Sequence, residues 1–165
     1  MKRQRGIHIF FLILTILWMV MIYRYSARTG SDSTAQSLRA GRLVCSIFVP
    51  GYERWTSEDQ DMLAEQIDYP IRKGAHATEY AILGILTFLT ALSGMACKEQ
   101  WKPYLIAAAI AILYAASDEF HQLFVPGRSG QVSDVILDAA GVVAGLVLTY
   151  RIGILAARRS ESKKN

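Results

Sequence analysis

Four stretches of this chain are nearly free of charge and close to the length a helix needs to cross a membrane: residues 7–23, 74–95, 103–122 and 132–154. About 20 apolar residues in helical form span the roughly 30 Å of bilayer hydrocarbon. In lipid the backbone must satisfy its own hydrogen bonds, so each stretch predicts a transmembrane α-helix. Residues 24–73, between the first and second stretches, are polar and mixed, and predict a long loop. The predicted fold is therefore all-α, a single polytopic membrane domain over residues 1–165 with four spans and one long extracytoplasmic loop.

The loop has its own pattern. Leu38, Val44, Ile47 and Phe48 alternate with Arg39 and Arg42, as in an amphipathic helix able to lie in the headgroup layer with its arginines on lipid phosphates. A solvated helix packed over the bundle fits the same pattern. Thr56 followed three residues later by Asp59 resembles a capping box and predicts a second short helix ending near Ile67.

Composition supports the membrane assignment: 52% of residues are hydrophobic and 19% charged. Lys2, Arg3 and Arg5 before the first apolar stretch resemble the start of a secretory signal, but no small-x-small cleavage site follows, so this stretch is read as a retained helix. Nine of the 18 Lys and Arg residues fall in the two terminal segments and the short connection between the second and third spans, and a tenth, Arg151, lies at the same end of the fourth span. The other eight are spread over the longer opposite segments. By the positive-inside rule both termini are cytoplasmic, in a bacterial cytoplasmic membrane. The net charge of +4 then reflects topology and not nucleic-acid binding. Cys45 and Cys97 fall on opposite sides, so no disulfide between them is expected. The sequence contains no glycine-rich nucleotide loop, no CxxC pair and no tandem repeat.

Ionisable residues gather where spans two, three and four meet the outer boundary. His76, Glu79, Tyr80 and Leu83 share one helix face, as do Asp118, His121 and Gln122, with Glu119 turned about 100° from Asp118. Asp134, Asp138, Gly141 and Gly145 form one stripe, and the Gly-x-x-x-Gly spacing predicts that this face is buried against a neighbouring helix. Arg72, Lys73 and Arg128 lie at the same level and offset part of the negative charge. Charges placed there are costly, which marks the constellation as a candidate site, although an ion-pair network that only fixes helix packing uses the same residues. His8, alone near the other end of the first span, receives no role.

Three chemistries fit. In the first, an enzyme acts on a phosphate-bearing or amphiphilic envelope substrate, with Glu79, Asp118, Glu119 and His121 as candidate catalytic groups. A divalent metal held by His76, Asp118, His121, Asp134 and Asp138, with Glu79 within reach, would polarise an oxygen and activate water, although the spacing matches no established metal motif. In the second, a protein without turnover uses Arg72, Lys73, His76, Tyr80, Gln122 and Arg128 to hold a lipid headgroup, a lipid-linked envelope precursor or the polar end of an amphiphilic antibiotic. In the third, an ion-coupled transporter, polar groups should also lie deep in the spans, yet Ile82 to Leu92 and Leu105 to Ala116 are nearly all apolar or small.

Three blocks carry a family resemblance: Arg72-Lys73-Gly74-Ala75-His76-Ala77-Thr78-Glu79-Tyr80, Ser117-Asp118-Glu119-Phe120-His121-Gln122-Leu123-Phe124-Val125-Pro126-Gly127-Arg128 and Asp134-Val135-Ile136-Leu137-Asp138-Ala139-Ala140-Gly141. In that order they resemble the signature blocks of the VanZ-like family of small bacterial membrane proteins. The polar segment from Ser26 to Ser33 is similar to the serine-rich stretch that follows the first span in the family. The resemblance implies a cell-envelope role, since the family takes its name from a member that lowers susceptibility to the glycopeptide teicoplanin.

Overall fold

The computed structural model describes residues 2–95, 99 and 101–162. Every regular element among them is helical: α1 (Lys2–Ser26), α2 (Gly30–Phe48), a 3₁₀ turn (Tyr52–Arg54), α3 (Ser57–Gln66), α4 (Asp68–Gly94), α5 (Lys102–Gln122) and α6 (Val132–Ser162). Four of these, α1, α4, α5 and α6, are long and apolar enough to cross a membrane. They expose Ile13, Leu17, Leu105, Leu113, Val143 and Val147 on their outer faces, an arrangement that suits lipid and not water. The expected connection between α4 and α5, with Cys97, lies outside the described residues, while Cys45 is a buried free thiol.

α4 is the hub, with α1, α5 and α6 packed around it. On α6, Gly141 and Gly145 meet α4 so closely that an added Cβ would overlap the carbonyl oxygens of Ala77 and Ala81. The contact is repaid from the other side at Gly84, where a Cβ would come within 2.9 Å of the Val142 carbonyl oxygen. The expected glycine stripe thus does what small residues do in membrane bundles, bringing two backbones together. α5 contributes Ala107, Ala111 and Ala115, all fully buried at four-residue spacing, and Tyr104 stacks on Phe88 at 4.2 Å between ring centroids.

α1 carries almost no charge along its span and is tied on by single polar groups. The His8 Nδ1–H donates to the Thr90 carbonyl (3.1 Å), and the Thr15 and Thr90 hydroxyls share a hydrogen bond of 2.9 Å. The Trp18 indole N–H donates to the Glu79 carbonyl (2.9 Å), and the Tyr114 hydroxyl donates to the Met19 carbonyl (2.6 Å). His8, which the sequence left without a role, is thus one of the ties holding α1 to α4.

The segment expected as a loop contains the two helices its pattern suggested, and the first is longer than expected. Thr29 caps α2, accepting from the Asp32 N–H (3.3 Å) and donating to its carboxylate (2.7 Å). Thr56 caps α3 in the same way with Asp59. α4 begins at Asp68, six residues before Gly74, because Pro70 falls in its first turn, where no intrahelical N–H bond is lost. Ser37 of α2 donates to Asp68, and Arg42 pairs with Asp61, so the α2–α3 hairpin stands on the start of α4.

Candidate functional site

The helix ends converge as the sequence indicated, and α2 closes over them. Glycine permits the closure: Gly127 has a positive φ of 73°, and a Cβ on Gly30 would overlap the Gly127 carbonyl. The Gly30 N–H donates to the Pro126 carbonyl (3.0 Å), joining the start of α2 to the α5–α6 turn. Between these elements lies a cavity of 280 Å³, lined by residues that include Tyr25, Ser26, Ser33, Gln36, Ser37, Arg72, Lys73, His76, Glu79, Asp118, Gln122, Arg128 and Asp134.

Arg128 sits where the turn meets α1. Its guanidinium donates to the Tyr25 carbonyl (3.1 Å), the Arg28 carbonyl (3.3 Å) and Gln122 Oε1 (3.3 Å). All three acceptors are neutral, and among the described residues Arg128 makes no salt bridge. Burial, followed by the like charge of Arg72, draws its pKa down from the ordinary value. The carboxylates of Asp118, Glu119 and Glu79 oppose that shift from longer range, and a guanidinium fixed by neutral acceptors beside a polar cavity can still offer hydrogen bonds to an anion.

The other candidates divide by what already satisfies them. Lys73 is paired with Asp134, and Arg72 lies 3.6 Å from Asp68. Glu119 is buried and does not face the cavity. Its carboxylate accepts from the Gln122 amide (3.0 Å) and from the Gln131 N–H (3.0 Å), binding the end of α5 to the approach of α6. Removing it should loosen that turn. Glu119→Ala is expected to cost about 2 kcal/mol, as for a hydrogen bond to a charged group, while Glu119→Gln, which keeps one of the two acceptors, recovers part of that loss. Thermal unfolding of the purified variants checks this, and a general base at this position would instead be silenced by the glutamine.

Among the described residues a second group of atoms is buried with no hydrogen-bond partner: Ser26 Oγ, His76 Nδ1, Tyr80 Oη, Asp118 Oδ1, His121 Nε2 and both carboxylate oxygens of Asp138. Buried polar atoms are nearly always paired, so seven orphans at one end of a bundle mark a place built for something more than the chain itself. Ser26, His76 and Asp118 border the cavity. Tyr80 and Asp138, both fully buried, lie in the packed core, and His121 is turned toward α1, its ring 4.8 Å from that of Tyr23.

Of the five expected metal ligands, His76, Asp118 and Asp134 border the cavity, and His121 and Asp138 do not. Asp134 is engaged by Lys73, His121 faces Tyr23, and Asp138 is buried in the core. Among the described residues no three His, Cys, Asp or Glu side chains are grouped to hold a metal ion.

The sequence reading missed the wall supplied by α1 and α2. Ser33, Gln36, Ser37 and Ala40 follow the i, i+3, i+4, i+7 rule and all line the cavity. The signal was present in Thr29-Gly30-Ser31-Asp32, which repeats the Thr-x-x-Asp cap of Thr56-Ser57-Glu58-Asp59 and marks a helix start at Gly30.

Comparison with known proteins gives one match. No curated protein and no solved structure matches the chain. The family model described as VanZ/LLP1 matches residues 11–155, from within α1 to within α6, and so takes in most of the first span, the other three and every residue of the cavity. The three blocks around Arg72, Asp118 and Asp134 fall inside that match, and the chain belongs to the VanZ/LLP1 family.

Proposed function

We propose that this protein binds the anionic, phosphate-bearing headgroup of an amphiphilic envelope molecule in the cavity beneath α2, at the outer face of the cytoplasmic membrane. The observation that carries the reading is the Arg128 guanidinium, anchored by three neutral acceptors at the edge of a polar cavity with Ser26 and His76 unpartnered in its wall. Phosphate oxygens accept from Arg128, Ser26, Ser33 and a protonated ring nitrogen of His76, and a guanidinium offers them a fork of parallel donors. Glu79 and Asp118, in the same wall, suit an amine or hydroxyl elsewhere on the headgroup. The excess of basic residues at the termini supports an extracytoplasmic site. By holding an envelope lipid, the protein would alter susceptibility to amphiphilic glycopeptides such as teicoplanin.

Native mass spectrometry of the protein released from detergent is the direct test. A lipid phosphate is expected to remain bound with one molecule per protein, while the matched neutral alcohol is lost. Equal retention of both overturns the reading. The same samples, kept overnight and analysed for released phosphate, distinguish a binding protein from an enzyme.

A further inference from the structure

The face of α1 that borders the cavity continues away from it. His8, Leu12, Thr15, Met19, Ile22 and Ser26 are spaced by four, three, four, three and four residues, one unbroken stripe along the helix. Ile22 and Ser26 belong to the polar cavity, whereas His8 to Met19 line a second cavity of 360 Å³. The floor of this second cavity is α4, from Thr87 to Met95, and its far wall is Ile106 and Ile110 of α5. α1 and α5 meet at Tyr114 with Met19 and at His121 with Tyr23, both toward the polar end. Below those contacts the two helices part and leave an apolar cleft within the spans. Its hydroxyls are turned inward, Thr87 donating to the Leu83 carbonyl and Thr15 and Thr90 bonding each other and the backbone of their own helices, so the surface offered to a ligand is hydrocarbon.

We infer that the cleft holds the hydrocarbon tail of the same molecule whose headgroup occupies the polar cavity, and that this tail is a single long chain of the polyprenyl phosphate type. The inference rests on the headgroup reading and adds the class of lipid. Length makes the selection. From Ser26 to His8 is 18 residues, about 27 Å at 1.5 Å per residue, close to the full hydrocarbon thickness. A chain confined to one leaflet covers about half of that, to about residue 17, and so reaches only the near end of the cleft at Met19 and Ile16, whereas filling it to His8 takes the longer chain. Lipid tails are as apolar as the cleft, so the gain from filling it is packing alone, and a few-fold preference for the long chain is expected.

A polyprenyl phosphate carrying a photoreactive group at its distal end, bound to the full-length protein in nanodiscs, reads the position of the tail. Crosslinks are expected on Leu12, Ile16, Met95 and Ile110, and an excess of farnesyl phosphate should remove most of them by competing for the headgroup cavity. Ala91→Phe, which fills the cleft from α4, should abolish the crosslinks while farnesyl phosphate still binds. Crosslinks spread over the lipid-facing Leu113 and Val147, with farnesyl phosphate still bound, overturn the inference and leave the headgroup reading standing. Cleft crosslinks that farnesyl phosphate does not displace also overturn it, since head and tail then belong to different molecules. Failure of farnesyl phosphate to bind at all removes the headgroup reading, and the inference with it.

Discussion

Arg128→Ala is expected to weaken binding of an anionic lipid phosphate by about two orders of magnitude, roughly 3 kcal/mol, the usual range for removing one partner of a largely desolvated charge pair. Arg128→Lys should recover little. The guanidinium is held by the Tyr25 and Arg28 carbonyls and by Gln122, a spread of three acceptors that a single ammonium cannot reproduce while also facing a ligand. Because two of those acceptors lie at and just beyond the end of α1, some loss of stability accompanies the substitution. Tyr25 and Arg28 act through their backbone, so side-chain changes there are not equivalent controls. Gln122→Leu is the sharper control: it removes one anchor and leaves the cation, and should cost binding less than tenfold. Titration of the three variants with the same lipid orders them, and equal affinity for Arg128→Ala and wild type would count against the headgroup site.

The second large effect is on folding. Gly141→Leu or Gly145→Leu should prevent α6 from seating on α4, because at both positions even a methyl group would occupy space taken by a backbone carbonyl. Overpacking a tight core costs typically 1–3 kcal/mol, and here the obstacle is backbone that cannot rotate aside, so the upper end applies to each substitution. Detergent-solubilised variants are expected to lose several degrees of thermal stability or to elute as aggregates. Gly153→Leu supplies the comparison, since an added Cβ there meets nothing within 4 Å and the variant should behave as wild type. Loss of the α4–α6 contact would also shift Asp138, one turn before Gly141, and with it the buried end of the site.

These two predictions rest on features that differ in how readily the sequence disclosed them. The glycine stripe was legible because its period is that of a helix and its partner is another helix, whichever one it proves to be. The spans were legible for the same reason: length and apolarity act locally. The cavity was legible only in its acidic and basic parts, where charge inside an apolar stretch calls for explanation. Ser33, Gln36 and Ser37 drew no such notice, because uncharged polar residues in a polar segment are unremarkable until α2 lies across the bundle. Glu119 illustrates the opposite limit. Its type and place suggested chemistry, but one of its two partners is the Gln131 backbone N–H, a group that every residue except proline carries and no sequence pattern reveals. The division of the expected metal ligands has a similar origin, since helical spacing ranks residues by face and says nothing of whether Lys73 reaches Asp134 first.

The sparse polar ties of α1 bear on how the protein is made. Its anchors, Glu79, Thr90 and Tyr114, all lie in helices synthesised later, so α1 enters the membrane with none of its eventual neighbours present. A helix in that position has to be stable in lipid by itself, and α1 is the most apolar of the four. α4 and α5, which carry His76, Glu79, Asp118 and Glu119, emerge into a bilayer where α1 already waits. The order of the spans along the chain thus lets the polar helices be received by a helix that needed no help to insert.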